Sequence, residues 1–183
     1  MARLSYLAVA SLDGYIADEQ GRWDWSVPDP AVHRFINDRM RAVGTHLYGR
    51  RMYDVMVAWE TMDDADPLMQ DFAQIWRAAD KIVYSTTMTE LGSARTRLER
   101  SFQAAEVHRL KESAARDLTI GGPHLAARAF EAGLVDDIHL FLSPVMVGGG
   151  TRAFPDGVQL PLELVDERRF ANGVVHLHHQ WRR

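Results

Sequence analysis

Hydrophobic residues cluster along this chain in short runs and in helical stripes that alternate. Leu4 to Ala10 is a compact apolar run, too short for a typical helix, and predicts a buried central strand. A loop from Asp13 to Pro30 follows. Asp29-Pro30 has the form of an N-cap with proline at the first helical position, and Val32, Phe35, Ile36, Met40 and Val43 then recur at helical spacing, with Gly44 as the expected stop. Thr45 to Tyr48 predicts a second strand and Arg51 to Ala58 a short helix. Pro67 to Ala78 predicts another helix, with Leu68, Phe72, Ile75 and Trp76 on one face. Lys81 to Ser85 reads as a third strand, Arg97 to Phe102 as a short edge strand, and Ala104 to Ala114 as a helix. Leu118 to Ile120 is strand-like. Gly122 then opens a helix carrying Leu125, Ala126, Ala129 and Phe130, which Gly133 ends.

Ile138 to Leu142 predicts a further strand, and Leu162 to Phe170 and Val174 to Trp181 flank Ala171-Asn172-Gly173, a strong hairpin signal. Strands separated by helices and closed by a hairpin imply an α/β fold, with a mostly parallel sheet and an antiparallel C-terminal edge.

Composition narrows the classes. A chain of 183 residues with 46% hydrophobic content fits one compact domain spanning residues 1–183. Its net charge of −4 and scattered basic residues do not indicate a nucleic-acid surface. With no cysteine there is no disulfide framework and no thiolate metal site. No apolar stretch approaches membrane-spanning length, and the first strand leaves no room for a signal peptide, so the expectation is a soluble cytoplasmic protein without membrane partners. Histidines in Val175-His176-Leu177-His178-His179 raise a metal reading. His176 and His178 share a strand face, but without a carboxylate or cysteine pattern they are expected to be solvated, and no metal is expected.

Four glycine-bearing segments carry the candidate chemistry: Ser11 to Ala17, Leu47 to Tyr53, Thr119 to Pro123 and Val147 to Gly150. Glycine where a strand hands over to a helix lets a phosphate approach backbone N–H groups. Arg50 and Arg51 lie at such a junction, where a guanidinium can make paired hydrogen bonds to an anion. No G-x-G-x-x-G occurs, which disfavours a Rossmann fold.

The order and spacing of these segments, with Gly49-Arg50-Arg51-Met52-Tyr53, Ile120-Gly121-Gly122 and Gly133-Leu134-Val135-Asp136-Asp137, resemble the dihydrofolate-reductase-like superfamily. The branch is the one related to the reductase domain of riboflavin biosynthesis. The resemblance implies a three-layer α/β/α fold and NADPH lying across the strand ends. It implies cofactor contacts from Val9, Ala10 and Ile16 at the nicotinamide and from Gly49, Arg50 and Arg51 at the phosphates. Ser85, Thr86 and Thr87 would lie beside the adenosine ribose and its 2′-phosphate, and Gly121, Gly122 and Pro123 at the pyrophosphate, often with a cis peptide between the glycines. Met52 stands where the family usually has threonine.

Two carboxylates are candidates for the proton step: Asp13, the one carboxylate in its segment, and Asp29, near the position where dihydrofolate reductases hold the pteridine. Turn formation and helix capping are the alternative roles of these residues. Trp23 and Trp25 could stack on a flat substrate or anchor the core. The resulting expectation is an NADPH-dependent reductase that transfers hydride to a small, heterocyclic or imine-like substrate. The competing class is a noncatalytic nucleotide-binding or interaction protein that keeps the fold. A homodimer joined near the C-terminal strands is also implied, with Ile138 to Leu142 and the hairpin offering apolar and edge surface.

Overall fold

A computed structural model describes residues 1–63 and 65–182. The strands are β1 (Leu4–Ser11), β2 (Tyr15–Ala17), β3 (Val43–Gly49), β4 (Asp80–Tyr84), β5 (Thr96–Glu99), β6 (Asp117–Gly121), β7 (Asp137–Ser143), β8 (Thr151–Arg152), β9 (Leu162–Arg169) and β10 (Val175–Trp181). The helices are α1 (Pro30–Met40), α2 (Arg50–Met56), α3 (Ala58–Thr61), α4 (Pro67–Ala78), α5 (Ala104–Ser113) and α6 (Pro123–Glu131), with a 3-10 turn at Asp24–Ser26. The main sheet has the order β5-β4-β3-β6-β1-β7-β10-β9. Its first six strands are mutually parallel, β10 runs antiparallel to β7, and β9 runs antiparallel to β10. The expected hairpin is therefore present, and β2 with β8 adds a small antiparallel sheet that the hydrophobic pattern did not predict.

The two faces of β1 separate the core into layers. Leu4, Tyr6 and Ala8 face α5 and α6, packing with Leu47, Ile82, Leu118, Val107, Leu125, Ala129 and Phe130. Leu7 and Val9 face the other layer, where Val32, Ile36 and Met40 of α1 and Phe72 and Trp76 of α4 are buried. Helices on both faces of a largely parallel sheet make the three-layer α/β/α arrangement. Both long helices of the second layer begin on proline after an aspartate cap: Asp29 accepts from Ala31 and Val32, and Asp66 from Leu68. The Gly44 boundary differs from expectation. α1 ends at Met40 and β3 already begins at Val43, because Gly44 provides room: a Cβ there would lie 2.8 Å from the Arg116 Cβ.

The solvated reading of His176 and His178 is corrected. Register places His139 of β7 beside His178, and Phe141 beside His176. His176 is fully buried, its Nε2 lies 3.1 Å from His139 Nδ1, and the His139 and His178 rings stack at 4.2 Å. Phe35 of α1 meets His176 edge to face, which is how the helix removes this position from water. His178 Nε2 in turn lies 2.8 Å from Asp137.

Burial holds His139 near a pKa of about 3 and His176 near about 4, and neighbouring cations, including Arg39, push the same way. The folded chain thus refuses protons that the unfolded chain takes up once pH falls below its ordinary histidine value of 6.5. Stability from this cluster should be complete above that value and decline as pH drops toward 4. The melting temperature is expected to fall by several degrees between about pH 7.5 and pH 5. His176→Phe, placed among Phe35, Phe141 and Phe170, should reduce that dependence in thermal melts across the same range without abolishing it, because His139 and the buried His46 keep their own lowered values.

Candidate active site

Because six neighbouring strands are parallel, their C-terminal ends share one edge of the sheet. Register sets Gly49 beside Tyr84, Tyr48 beside Gly121 and Ser11 beside Ser143, so the glycine-bearing segments named from sequence converge there.

At one end, α2 starts on Gly49 without a side-chain cap, and Arg50 and Arg51 are exposed in its first turn. Arg50 Nη1 donates to Thr87 Oγ1 at 2.8 Å, joining the end of β3 to the turn after β4. The three expected hydroxyls divide their work. Ser85 is buried and its Oγ accepts from the N–H groups of Thr87 and Met88 at 3.3 and 3.0 Å, closing the turn, while Thr86 and Thr87 stay exposed. Tyr53 is buried under this region, and its hydroxyl takes the Gly92 N–H at 3.0 Å and bonds Ser93 at 2.8 Å. Arg100, which belongs to no motif, donates from Nη1 to the carbonyls of Ser85 and Met88 at 3.2 and 2.7 Å.

In the middle lies the Gly121-Gly122 bend, with Pro123 as the first residue of α6. No described peptide is cis, so the bend differs from the cis form expected: Gly122 makes it with a φ of 88°. A Cβ on Gly121 would sit 2.9 Å from the buried Tyr48 ring and 3.2 Å from Met52 Cγ. Met52 therefore lies against the bend with its methylene groups. The Tyr48 ring cannot retreat easily, since it stacks on His46 at 5.5 Å and accepts from Trp76 Nε1 at 3.2 Å.

At the far end, Val9 is half-buried, Ala10 is fully buried and Ile16 is half-buried on β2. Asp13 accepts from the N–H groups of Val147 and Gly148 at 3.2 and 2.8 Å, tying the first turn to the loop after β7. A hydrogen bond from the Ser11 hydroxyl, reinforced by those N–H groups, holds the Asp13 carboxyl below the usual carboxylate range. The same two segments cross closely at Gly150, where a Cβ would fall 2.1 Å from the Ala17 carbonyl oxygen.

Asp29 sits apart from this network: its Oδ1 accepts from Ala31 and Val32 at 3.0 and 2.9 Å, so its carboxylate is occupied by the start of α1. Trp23 is exposed, and its carbonyl accepts from Ser26 Oγ. Trp25 is half-buried, and its indole N–H is shielded from water with no acceptor among the described residues.

The RibD C-terminal domain family model matches residues 4–176. The chain belongs to that family. The match spans β1 through the start of β10, which includes every strand end that forms the site. Protein YyaP of Bacillus subtilis (strain 168), itself uncharacterized, is 28% identical over 173 residues, covering 93% of this chain and 90% of its own. Among solved structures, a candidate riboflavin biosynthesis protein from Shewanella sp. PV-4 superposes with a TM-score of 0.77 at 22% identity, with 100% of both chains covered. A pyrimidine reductase-like protein from Corynebacterium diphtheriae gives a TM-score of 0.70 at 13% identity, covering 100% of this chain and 92% of that one. A diaminohydroxyphosphoribosylaminopyrimidine deaminase/5-amino-6-(5-phosphoribosylamino)uracil reductase from Thermotoga maritima gives 0.69 at 16% identity. That match covers 98% of this chain and 56% of that longer one. These likenesses establish the RibD C-terminal, dihydrofolate-reductase-like fold.

The bend itself is open to test. Gly121→Ala should cost about 1–3 kcal/mol in urea unfolding, because its new methyl group must displace a ring that is pinned on two sides.

Proposed function

We propose that this domain is an NADPH-dependent reductase acting on a small planar heterocycle or imine. The family is related to reductases, and the observation that carries the finer reading is the Arg50 to Thr87 hydrogen bond beside the Gly121-Gly122 bend. A guanidinium and a hydroxyl there suit an adenosine phosphate, and a bend without Cβ atoms leaves backbone accessible to a pyrophosphate. The residues present therefore fit a dinucleotide lying along the strand ends.

When bound, the cofactor supplies the hydride for a C=N or C=O acceptor. The chain's part is to hold and orient. Arg50 and Thr87 would fix the phosphate end, Gly121 and Gly122 the middle, and Val9, Ala10 and Ile16 the nicotinamide end. Asp13 is held in its charged form by Ser11, Gly148 and Val147, which makes it a poor proton donor at neutral pH and a good holder of the loop. Asp29 is taken up by helix capping. Water is therefore the proton source this arrangement supports best. Trp25, half-buried in the loop after β2, is the aromatic side chain proposed to line the substrate side.

The cofactor reading has a direct test. Hydrogen bonds to charged groups contribute on the order of 1.5–3 kcal/mol, so Arg50→Ala should lower NADPH affinity about tenfold or more while leaving NADH affinity nearly unchanged. Nucleotide fluorescence titrations of both proteins with both cofactors measure this. Equal wild-type affinity for NADPH and NADH would remove the reason to name NADPH. Binding without oxidation across pterins, aminopyrimidines and imines would instead favour the noncatalytic class.

We also propose a homodimer through the C-terminal edge. Every residue of β9 is exposed, including Leu162, Leu164 and Val165, which are 41%, 49% and 48% accessible on an edge strand. Light scattering at micromolar concentration should give twice the chain mass, and Leu164→Lys should return the monomer.

A further inference from the structure

The turn that follows β4 is assembled from side chains of three separate segments. Ser85 Oγ takes its two inward N–H groups, those of Thr87 and Met88, and Arg50 bonds its Thr87 hydroxyl. The carbonyls of Ser85 and Met88 both accept from Arg100 Nη1. Ser85 N also donates to the Glu99 carbonyl at 3.0 Å, so the backbone immediately before Arg100 is already strapped to the turn. Arg100 follows the last residue of β5, and the parallel pairing of Tyr84 with Glu99 is what brings it within reach.

We propose that Arg100 is a positioning residue for cofactor discrimination: it fixes the turn of residues 85–88 so that Thr87 and Arg50 are presented together to the adenosine 2′-phosphate. The proposal rests on the NADPH reading above. Two carbonyl oxygens on the rim of an anion site carry partial negative charge and disfavour the anion. One guanidinium nitrogen has two N–H bonds, enough to occupy both carbonyls and place a full positive charge behind them. The Ser85 and Met88 carbonyls are thereby satisfied from within the chain, and the Thr87 hydroxyl is left at a fixed position for Arg50 and the ligand. An ammonium keeps the charge but lacks the planar geometry that directs two bonds at once, so lysine should serve only in part.

The test is titration of wild type, Arg100→Ala, Arg100→Lys, Arg50→Ala and the Arg50→Ala/Arg100→Ala double variant with NADPH and with NADH. Arg100→Ala is expected to weaken NADPH about tenfold with NADH changed less than about twofold, and Arg100→Lys to recover part of the loss. Since both arginines act on one turn, the double variant should bind NADPH within about twofold of Arg50→Ala alone. Arg100 is exposed, so its variants should melt close to wild type; should Arg100→Ala prove unfolded, Arg100→Lys should still show a smaller loss for NADPH with NADH unchanged. A wild type that prefers NADPH, with variants that keep that preference, overturns the role of Arg100 alone. Equal losses for both nucleotides assign Arg100 to turn stability and overturn it as well. A wild type without preference removes the NADPH reading and this role together.

Discussion

Two adjacent carboxylates, Asp136 and Asp137, hold the end of the sheet opposite the site, and the alignment of the strand tips follows from them. Asp136 accepts from the Leu4 N–H at 2.8 Å and pairs with Lys111 at 2.6 Å, while its own N–H donates to the Leu4 carbonyl. Asp137 binds the Arg3 guanidinium, His178 and Gln180. Burial alone would raise the Asp137 pKa, and the hydrogen bonds from Arg3 and His178 outweigh it and hold the group charged. One dipeptide thus joins β1, β7, β10 and α5. Lys111 is 2% exposed, so its partner cannot be removed without leaving a buried charge uncompensated.

That anchoring frees the other edge for ligand chemistry. Groups that would hold the phosphates come from β3, β4, β5 and β6, which touch mainly through the sheet and through side-chain bonds such as Arg50 to Thr87. A ligand spanning these tips would be coupled to sheet register and would stabilise the folded chain by the free energy of its binding.

Much of the fold could be read from the chain because its signals were local. Asp29-Pro30 marks the start of α1, and Asn172-Gly173 marks the hairpin between β9 and β10. The unread parts depend on distant partners. β2 has three residues and β8 two, too few for any periodicity, and they exist because they pair with each other. His176 looked like a polar position on an edge because nothing in its neighbourhood announces that Phe35, more than a hundred residues earlier, covers it. Gly44 looked like a helix stop and proved to be a contact with Arg116. In the site, the segments around Gly49, Ser85 and Gly121 were visible as glycine and hydroxyl clusters. Arg100 was not, since an arginine after a short edge strand carries no signature until the sheet order is known.

The crossing of Gly150 over the Ala17 carbonyl has a mechanical meaning. With Asp13 holding Val147 and Gly148, and with no space at Gly150 for a single added carbon, the first turn and the loop after β7 form one wall of the cleft. Neither can swing without dragging the other. A ligand lying along the strand ends would meet that wall as a fixed jaw at the tips of β1 and β7.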